Sequence, residues 1–385
     1  MLTVGLADDF SVPGFLMENS YLLKISSSKQ VLIFLLCQFV ASFCLLSFIQ
    51  GSRERRMNLQ CPLQSPPGSV NTTEVVPGST GKQEHQLAIM LWTWPFHQPF
   101  PLESCPPLHG DLNCHFTANR NLLPSADAVI VHHWDVQGNP RQLTQIHRDP
   151  SQRWVWFNLE SPSNSHNLGA MDNLFNMTMS YRSDADFFTP YGKLEPLDEP
   201  ENFTIPPKSK MVAWAVSNWN PSSRRVQYYE ELKKHLQVDV FGRQHKPLPK
   251  SQLLSTLSQY KFYLAFENSQ HQDYITEKLW HNALASGTVP VVLGPSRKNY
   301  ERFLPSEAFI HIDDFPNPQA LAQHLHSVAS DEARYREYFQ WRSHFRVVHK
   351  FSWINHYCKA CQGLHVATAY RTLPCLAQWF LGNPQ

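Results

Sequence analysis

Residues 260–294, YKFYLAFENSQHQDYITEKLWHNALASGTVPVVLG, concentrate side chains able to do chemistry. An apolar run ends in Glu267-Asn268, a polar loop follows, and a helical pattern then opens on Thr276, Glu277 and Lys278. The N–H groups that a helix's first turn leaves without partners, with a lysine among them, make an anion site at the strand end. Lys278 and an arginine from another helix would together hold a departing phosphate-type group without a metal. Glu277 beside such a group would be repelled, so its role there is a hydrogen bond to hydroxyls. By spacing alone the Glu-Lys pair is more often an ordinary solvated pair.

Three other clusters compete. His132-His133-Trp134-Asp135 follows the run AVIV and would present imidazole, an indole face and a carboxylate to a sugar. Adjacent strand residues point to opposite faces, so His-His is a poor metal pair. Asp184-Ala185-Asp186 has the D-x-D form that holds a diphosphate through a metal, but Tyr181-Arg182 just before it makes internal pairing the plainer reading. Glu160 closes the run RWVWFNLE ahead of Ser161-Pro162, which puts a carboxylate at a strand's carboxyl end, as a functional group or as a loop or cap carboxylate.

The elements that must carry these residues alternate. Strands are expected over 87–92, 128–133, 153–160, 177–182, 211–218, 238–242, 261–268, 288–294 and 308–314, several of them continuously apolar as in parallel sheets covered on both faces. Helical patterns cover Arg224 to His235, Thr276 to Ser286 with Gly287 as the stop, and Pro318 to Ala329. The fold class is therefore α/β, with two Rossmann-like domains facing a cleft and ligands at the carboxyl ends of strands. Their expected bounds are 86–205 and 206–355, joined by the Pro-rich stretch 194–210, with a C-terminal segment 356–385. No GxGxxG or Walker A sequence occurs, which disfavours a dinucleotide redox enzyme or a P-loop kinase. Lys+Arg 33 against Asp+Glu 32 gives a net charge of +1, no field for a nucleic-acid backbone.

Ahead of the globular part, residues 31–49 read VLIFLLCQFVASFCLLSFI, enough apolar helix to span ~30 Å of hydrocarbon. The expectation is a tail over 1–30, an uncleaved transmembrane anchor over 31–50 and a flexible Ser/Pro/Gly-rich stem over 51–85. Lys24 and Lys29 precede the span while Arg53, Arg55 and Arg56 follow it, so the positive-inside rule would put the C-terminal side in the cytosol. The glycosylation sequons Asn71, Asn176 and Asn202 argue the opposite, a lumenal globular part. So do Cys105, Cys114, Cys358, Cys361 and Cys375, which suit disulfides in an oxidising lumen better than a zinc site, because no second CxxC or nearby CxxH completes the set.

Taken together, FYLAFENSQHQDYITEKLWHNALASGTVPVVLGPSRKNYERFLP, VIVHHWD, RWVWFNLESP, MSYRSDADFFTPYG, VAWAVSNWNPSSRRVQYYEEL and VDVFGRQHKPLPK resemble the vertebrate Lewis-type α1,3/4-fucosyltransferases, from Leu87 to Phe380. The resemblance implies an inverting transferase of the two-Rossmann (GT-B) type, Golgi-anchored as a single-pass type II protein. It would move L-fucose from GDP-fucose to the N-acetylglucosamine of Gal-GlcNAc chains on glycoproteins and glycolipids, α1,3 and in part α1,4. It implies donor contacts at Ser217, Asn218, Arg225, Asn268, Tyr274, Glu277 and Lys278, with Arg225 rather than Arg224 in the diphosphate clamp, and acceptor contacts at His132, His133, Trp134 and Asp135.

Inversion needs one base opposite the leaving group, and Glu160 is the candidate. Trp134, where many relatives have arginine, goes with use of type 1 chains. No cofactor or metal is required on this reading, nucleic acid is not a partner, and a homodimer is left open. The resemblance implies Cys105–Cys358 and Cys114–Cys361 disulfides, while the sequence does not exclude the local pairs Cys105–Cys114 and Cys358–Cys361. Competing readings are a metal-dependent transferase using Asp184 and Asp186, and a membrane-tethered lectin without turnover.

Overall fold

A computed structural model describes residues 86–102, 105, 113–349, 352–367 and 370–382. The expected tail, membrane anchor, stem and Asn71 lie outside them. No helix among the described residues is long and apolar enough to cross a membrane.

The first half is a six-stranded sheet of β1 (Leu87–Leu91), β2 (Cys114–Thr117), β3 (Ala128–His132), β4 (Arg153–Asn158), β5 (Met177–Ser180) and β6 (Phe187–Phe188), every pairing parallel, in the order β2-β1-β3-β4-β5-β6. After β7 (Lys193–Pro196) comes a second parallel sheet of β8 (Lys210–Ala215), β9 (Asp239–Phe241), β10 (Tyr260–Phe266), β11 (Val289–Leu293) and β12 (Ile310–His311), in the order β12-β11-β10-β8-β9. β13 (Phe345–Val348) then returns to pair antiparallel with β7, Val347 opposite Leu194. Each run expected to be a strand contains one. The sequence reading missed β2, β6, β7 and β13, whose short or polar edge sequences carry no strong periodicity.

Period-two alternation builds two cores from the second sheet. Val212, Trp214, Phe262, Leu264, Phe266, Val291 and Leu293 pack on one face with the helices Arg224–Leu232 and Pro318–Ser330. Ala213, Tyr263, Ala265 and Val292 pack on the other with Leu279, Trp280, Ala283 and Leu284. Pro318–Ser330 starts as its sequence demands, with proline in its first turn and the Asn317 side chain accepting the Ala320 N–H.

The expected α-helix over 276–286 is instead a π-helix, Lys278–Leu284, and Gly287 closes it with a left-handed φ of 71°. A Cβ there would lie 2.8 Å from Pro206, so the turn tolerates no side chain.

The chain end belongs to the first half. Helices Trp353–Val366 and Leu376–Leu381 bury Tyr357, Ala360, Cys361, Leu376 and Phe380 in the core of the first sheet. Disulfides join Cys105 to Cys358 and Cys114 to Cys361, and Cys375 is also disulfide-bonded. The Cys114–Cys361 bond closes a separation of 247 residues, so replacing both cysteines by serine should destabilise the fold by about 2–5 kcal/mol. Thermal unfolding of the variant against the parent, both without reductant, measures this as a lower Tm.

Candidate active site

In each sheet the chain reverses its direction of travel at one inner pair of strands, and a crevice opens beyond their carboxyl ends. In the second sheet this pair is β8 and β10, because β8 continues to β9 on one side and β10 to β11 on the other. Ser217 and Asn218 follow β8 and are exposed, while Glu267 and Asn268 follow β10. In the first sheet the pair is β1 and β3, whose ends lead to Phe96 and to His132 and Trp134. Glu160 lies two residues past the neighbouring β4.

A cavity of about 850 Å³ joins the two sides, lined by Phe96, Glu160, Tyr191, Glu277, His281, His349 and Trp353 among others. Glu160 and Glu277, one from each half, thus share one space. Burial raises the Glu160 pKa above the ordinary carboxylate range, opposed by the Lys278 charge and a hydrogen bond from Asn164. Phe96 holds a left-handed backbone, φ 53°, with its ring edge-on to His132 at 4.9 Å and 6.1 Å from that of Trp353. Phe96, Tyr191, His281, His349 and Trp353 were not expected from sequence. Their only signal is aromatic or imidazole character, which core residues share.

On the donor-type side, Glu267 is 1% exposed and forms the centre of a charged group. Its carboxylate accepts the Thr276 N–H at 2.8 Å and the Thr276 hydroxyl at 2.9 Å. The Lys278 ammonium lies 3.1 Å from Glu267 and 3.2 Å from Glu277. Burial works against the lysine's charge, but the two carboxylates outweigh it and hold its pKa above the ordinary value. The sequence-based picture of unpartnered N–H groups around Lys278 is corrected here, because the Thr276 N–H serves Glu267 and the helix is short and π-type.

Arg225 comes from the first turn of Arg224–Leu232 and is 5% exposed. One Nη donates to the Asn218 carbonyl at 2.5 Å, while Nε has no partner among the described residues. Arg224 instead turns outward to Asp313 at 2.8 Å. Asn268 is half-buried, accepting from the Ser269 hydroxyl, and Tyr274 is 2% exposed, edge-on to Tyr181 and Tyr191.

Two clusters are reassigned. Of the four HHWD residues, only Trp134, 41% exposed, presents its side chain outward. His133 accepts the Trp156 indole N–H on Nδ1 at 3.2 Å and donates from Nε2 to the His166 carbonyl at 2.9 Å, leaving no ring nitrogen for a glycan. His132 and Asp135 form a buried pair at 2.7 Å, with His132 Nε2 lacking a partner among the described residues, so of the four expected acceptor contacts only Trp134 offers a face to solvent.

Asp184 accepts from Arg182 at 2.6 Å and from the Trp379 indole at 3.1 Å, and Asp186 accepts from Thr178 and Arg371. Both D-x-D carboxylates therefore brace the first half internally. Among the sequons, Asn202 is exposed. Asn176 is 5% exposed, its amide oxygen taking the Trp154 N–H and its nitrogen donating to the Arg371 carbonyl, which leaves one amide hydrogen for a glycan bond.

Comparison with known proteins shows the family. The pattern for the N-terminal part of fucosyltransferases matches residues 84–192, and that for glycosyltransferase family 10 (fucosyltransferase), C-terminal part, matches residues 205–379. The chain belongs to glycosyltransferase family 10. It is 50% identical over 359 residues to the 3-galactosyl-N-acetylglucosaminide 4-alpha-L-fucosyltransferase FUT3 of Homo sapiens, covering 91% of this chain and 96% of that one. It is 51% identical over 352 residues to the 4-galactosyl-N-acetylglucosaminide 3-alpha-L-fucosyltransferase FUT6 of Pongo pygmaeus, covering 90% and 94%. A solved structure of an alpha1,3-fucosyltransferase with GDP-fucose is similar at 17% identity and a TM-score of 0.47, covering 77% of this chain and 95% of that one. This family-10 chain is thus a glycosyltransferase of the fucosyltransferase type.

Burial pushes His133 down to about 4 and His356 down to about 3, from an ordinary 6.5. Between pH 6.5 and 4 the unfolded chain takes up these protons and the folded chain does not, so stability falls as pH drops through that window. The slope is about 1.4 kcal/mol per pH unit for each histidine, readable as a falling Tm across a pH series.

Proposed function

We propose that this chain transfers L-fucose from GDP-fucose to an N-acetylglucosamine hydroxyl of Gal-GlcNAc glycans, with inversion, forming α1,3 and in part α1,4 linkages. The observation that carries the reading is the shared cavity, with the Glu160 carboxylate on one side and Glu277, backed by Lys278, on the other. The α1,3 and α1,4 linkages rest on the FUT6 and FUT3 relatives, whose names specify them. The two parallel-sheet halves act as the two Rossmann-like lobes of a GT-B enzyme, acceptor on the first and nucleotide on the second.

Glu160 takes the proton of the acceptor hydroxyl as that oxygen attacks the fucose anomeric carbon. The bond from that carbon to the diphosphate oxygen breaks, and GDP leaves with both electrons. Its raised pKa suits a base that must bind a proton during the step. Arg225 and Lys278 stabilise the charge developing on GDP. Without donor, two cations (Arg225, Lys278) stand beside two carboxylates (Glu267, Glu277), so the group attracts an anion only as the Lys278–Glu277 contact gives way. Glu277, released from Lys278, accepts sugar hydroxyls. Trp134 offers its exposed indole face to the acceptor and discriminates type 1 from type 2 chains.

Asp184 and Asp186 already have internal partners, so the proposed mechanism uses no metal at that pair. The uncleaved span over 31–50, the lumenal orientation and Golgi residence are part of the same proposal, supported by the sequons and disulfides. The test is incubation of the full chain, extracted in detergent, with GDP-fucose and type 1 and type 2 acceptors, with and without EDTA. Fucosylated product that persists in EDTA is expected; no product from either acceptor would overturn the assignment and favour a glycan-binding protein.

Glu160→Gln should keep GDP binding and lose ~10²-fold or more in kcat. The Glu160 carboxyl must be ionised to act, so activity rises with pH through its raised pKa. Lys278→Ala removes the charge that lowers that pKa, and the acidic limb of kcat/KM should move to higher pH. Arg225→Ala and Lys278→Ala should raise the KM for GDP-fucose more than that for acceptor, which initial-rate kinetics with each substrate varied in turn would measure.

A further inference from the structure

Asp273 lies in the loop between β10 and the Lys278–Leu284 helix, in a left-handed conformation with φ 60° and only 3% exposed. A non-glycine residue there costs on the order of 1–2 kcal/mol and persists only where its surroundings over-determine it. One carboxylate oxygen accepts the Ser183 N–H at 2.9 Å and the Ser183 hydroxyl at 2.7 Å. The other accepts the Asn299 amide at 2.6 Å and the Arg302 guanidinium at 2.9 Å. Its own N–H donates to the Asn299 side-chain oxygen at 2.7 Å, and Arg302 also reaches the Ser183 hydroxyl at 2.6 Å.

Ser183 lies three residues past β5 of the first sheet, whereas Asn299 and Arg302 follow β11 of the second. One buried carboxylate therefore fastens the two halves together, on a segment that also reaches both reactive sides. Two residues before it, His271 meets the hydroxyl of Ser163, three positions beyond Glu160, at 2.6 Å. Immediately after it, Tyr274 packs against Tyr181 and Tyr191 of the first half. Thr276 and Lys278 then engage Glu267.

We propose that Asp273 is a positioning residue that sets the reach between Glu160 in the first half and Lys278 in the second, and so the alignment of acceptor oxygen with donor carbon. The inference rests on the fucosyl-transfer reading above. Each half keeps its own hydrophobic core, so the carboxylate is needed less for either half to fold than for their mutual registration. Misplacement of reacting groups by about 1 Å costs ~10²-fold in rate.

The test measures transfer of fucose by the full chain, with kcat expressed per GDP-binding site titrated in the same preparation. Asp273→Ala should leave GDP affinity within about twofold and lower kcat per site ~30-fold or more, a loss within the range known for misplaced reacting groups. Asp273→Asn, which tolerates the left-handed backbone and keeps one acceptor oxygen, should recover part of that loss. Ser183→Ala, which removes the hydroxyl's bonds to Asp273 and Arg302 but keeps the Ser183 N–H on the carboxylate, should lower kcat per site by a smaller factor and also leave GDP affinity intact, and it decides the matter if Asp273→Ala does not fold. Unchanged kcat per site in these variants, or loss of GDP affinity in proportion to kcat, would overturn the positioning role. Absence of transfer by the parent chain would instead refute the fucosyl-transfer reading on which the inference depends.

Discussion

Parallel strands deliver all their carboxyl ends to one edge of a sheet, and the reversal of chain travel between two inner strands leaves a crevice at that edge. In this chain both sheets reverse, at β1 and β3 and at β8 and β10, and the cavity forms where groups beyond those edges meet. Every candidate site residue depends on this arrangement. Glu160, Asn218 and Asn268 would be unrelated loop residues without it.

Electrostatics then decides what the cavity can do. A lysine in a protein interior is costly unless paired, and Glu267 and Glu277 supply the pairing for Lys278. The result is a charge kept in place before any anion arrives. Arg225 is the complementary case: buried, tied to one carbonyl, with Nε left without a partner among the described residues. An orphaned guanidinium N–H is unfavourable in a resting fold and useful where an anion is to bind.

The first half is also stitched to the chain end at long range. The Trp353–Val366 helix carries two disulfides back to the first half, and its first residue, Trp353, lines the cavity. The D-x-D pair does similar work within the first half, Asp184 gripping Arg182 and Trp379, whereas Asp273 joins Ser183 of the first half to Arg302 of the second. Carboxylates that suggest a metal in one dimension are thus internal braces in three.

Sequence by itself determined most element types: short, continuously apolar runs such as FYLAF and VPVVL, bounded by turn residues, read as buried strands, and Asn317-Pro318 ahead of an apolar periodicity marks a helix start. It also identified Glu160 and Lys278 as charged groups at element ends, because period and breaker residues are local properties. Strand order, the π-type winding at Lys278, the pairing of His133 with Trp156 and the approach of Glu277 to the cavity of Glu160 were decided by tertiary structure. Each of these depends on which distant surface an element packs against, and side chains separated by a hundred residues leave no periodic mark of their meeting.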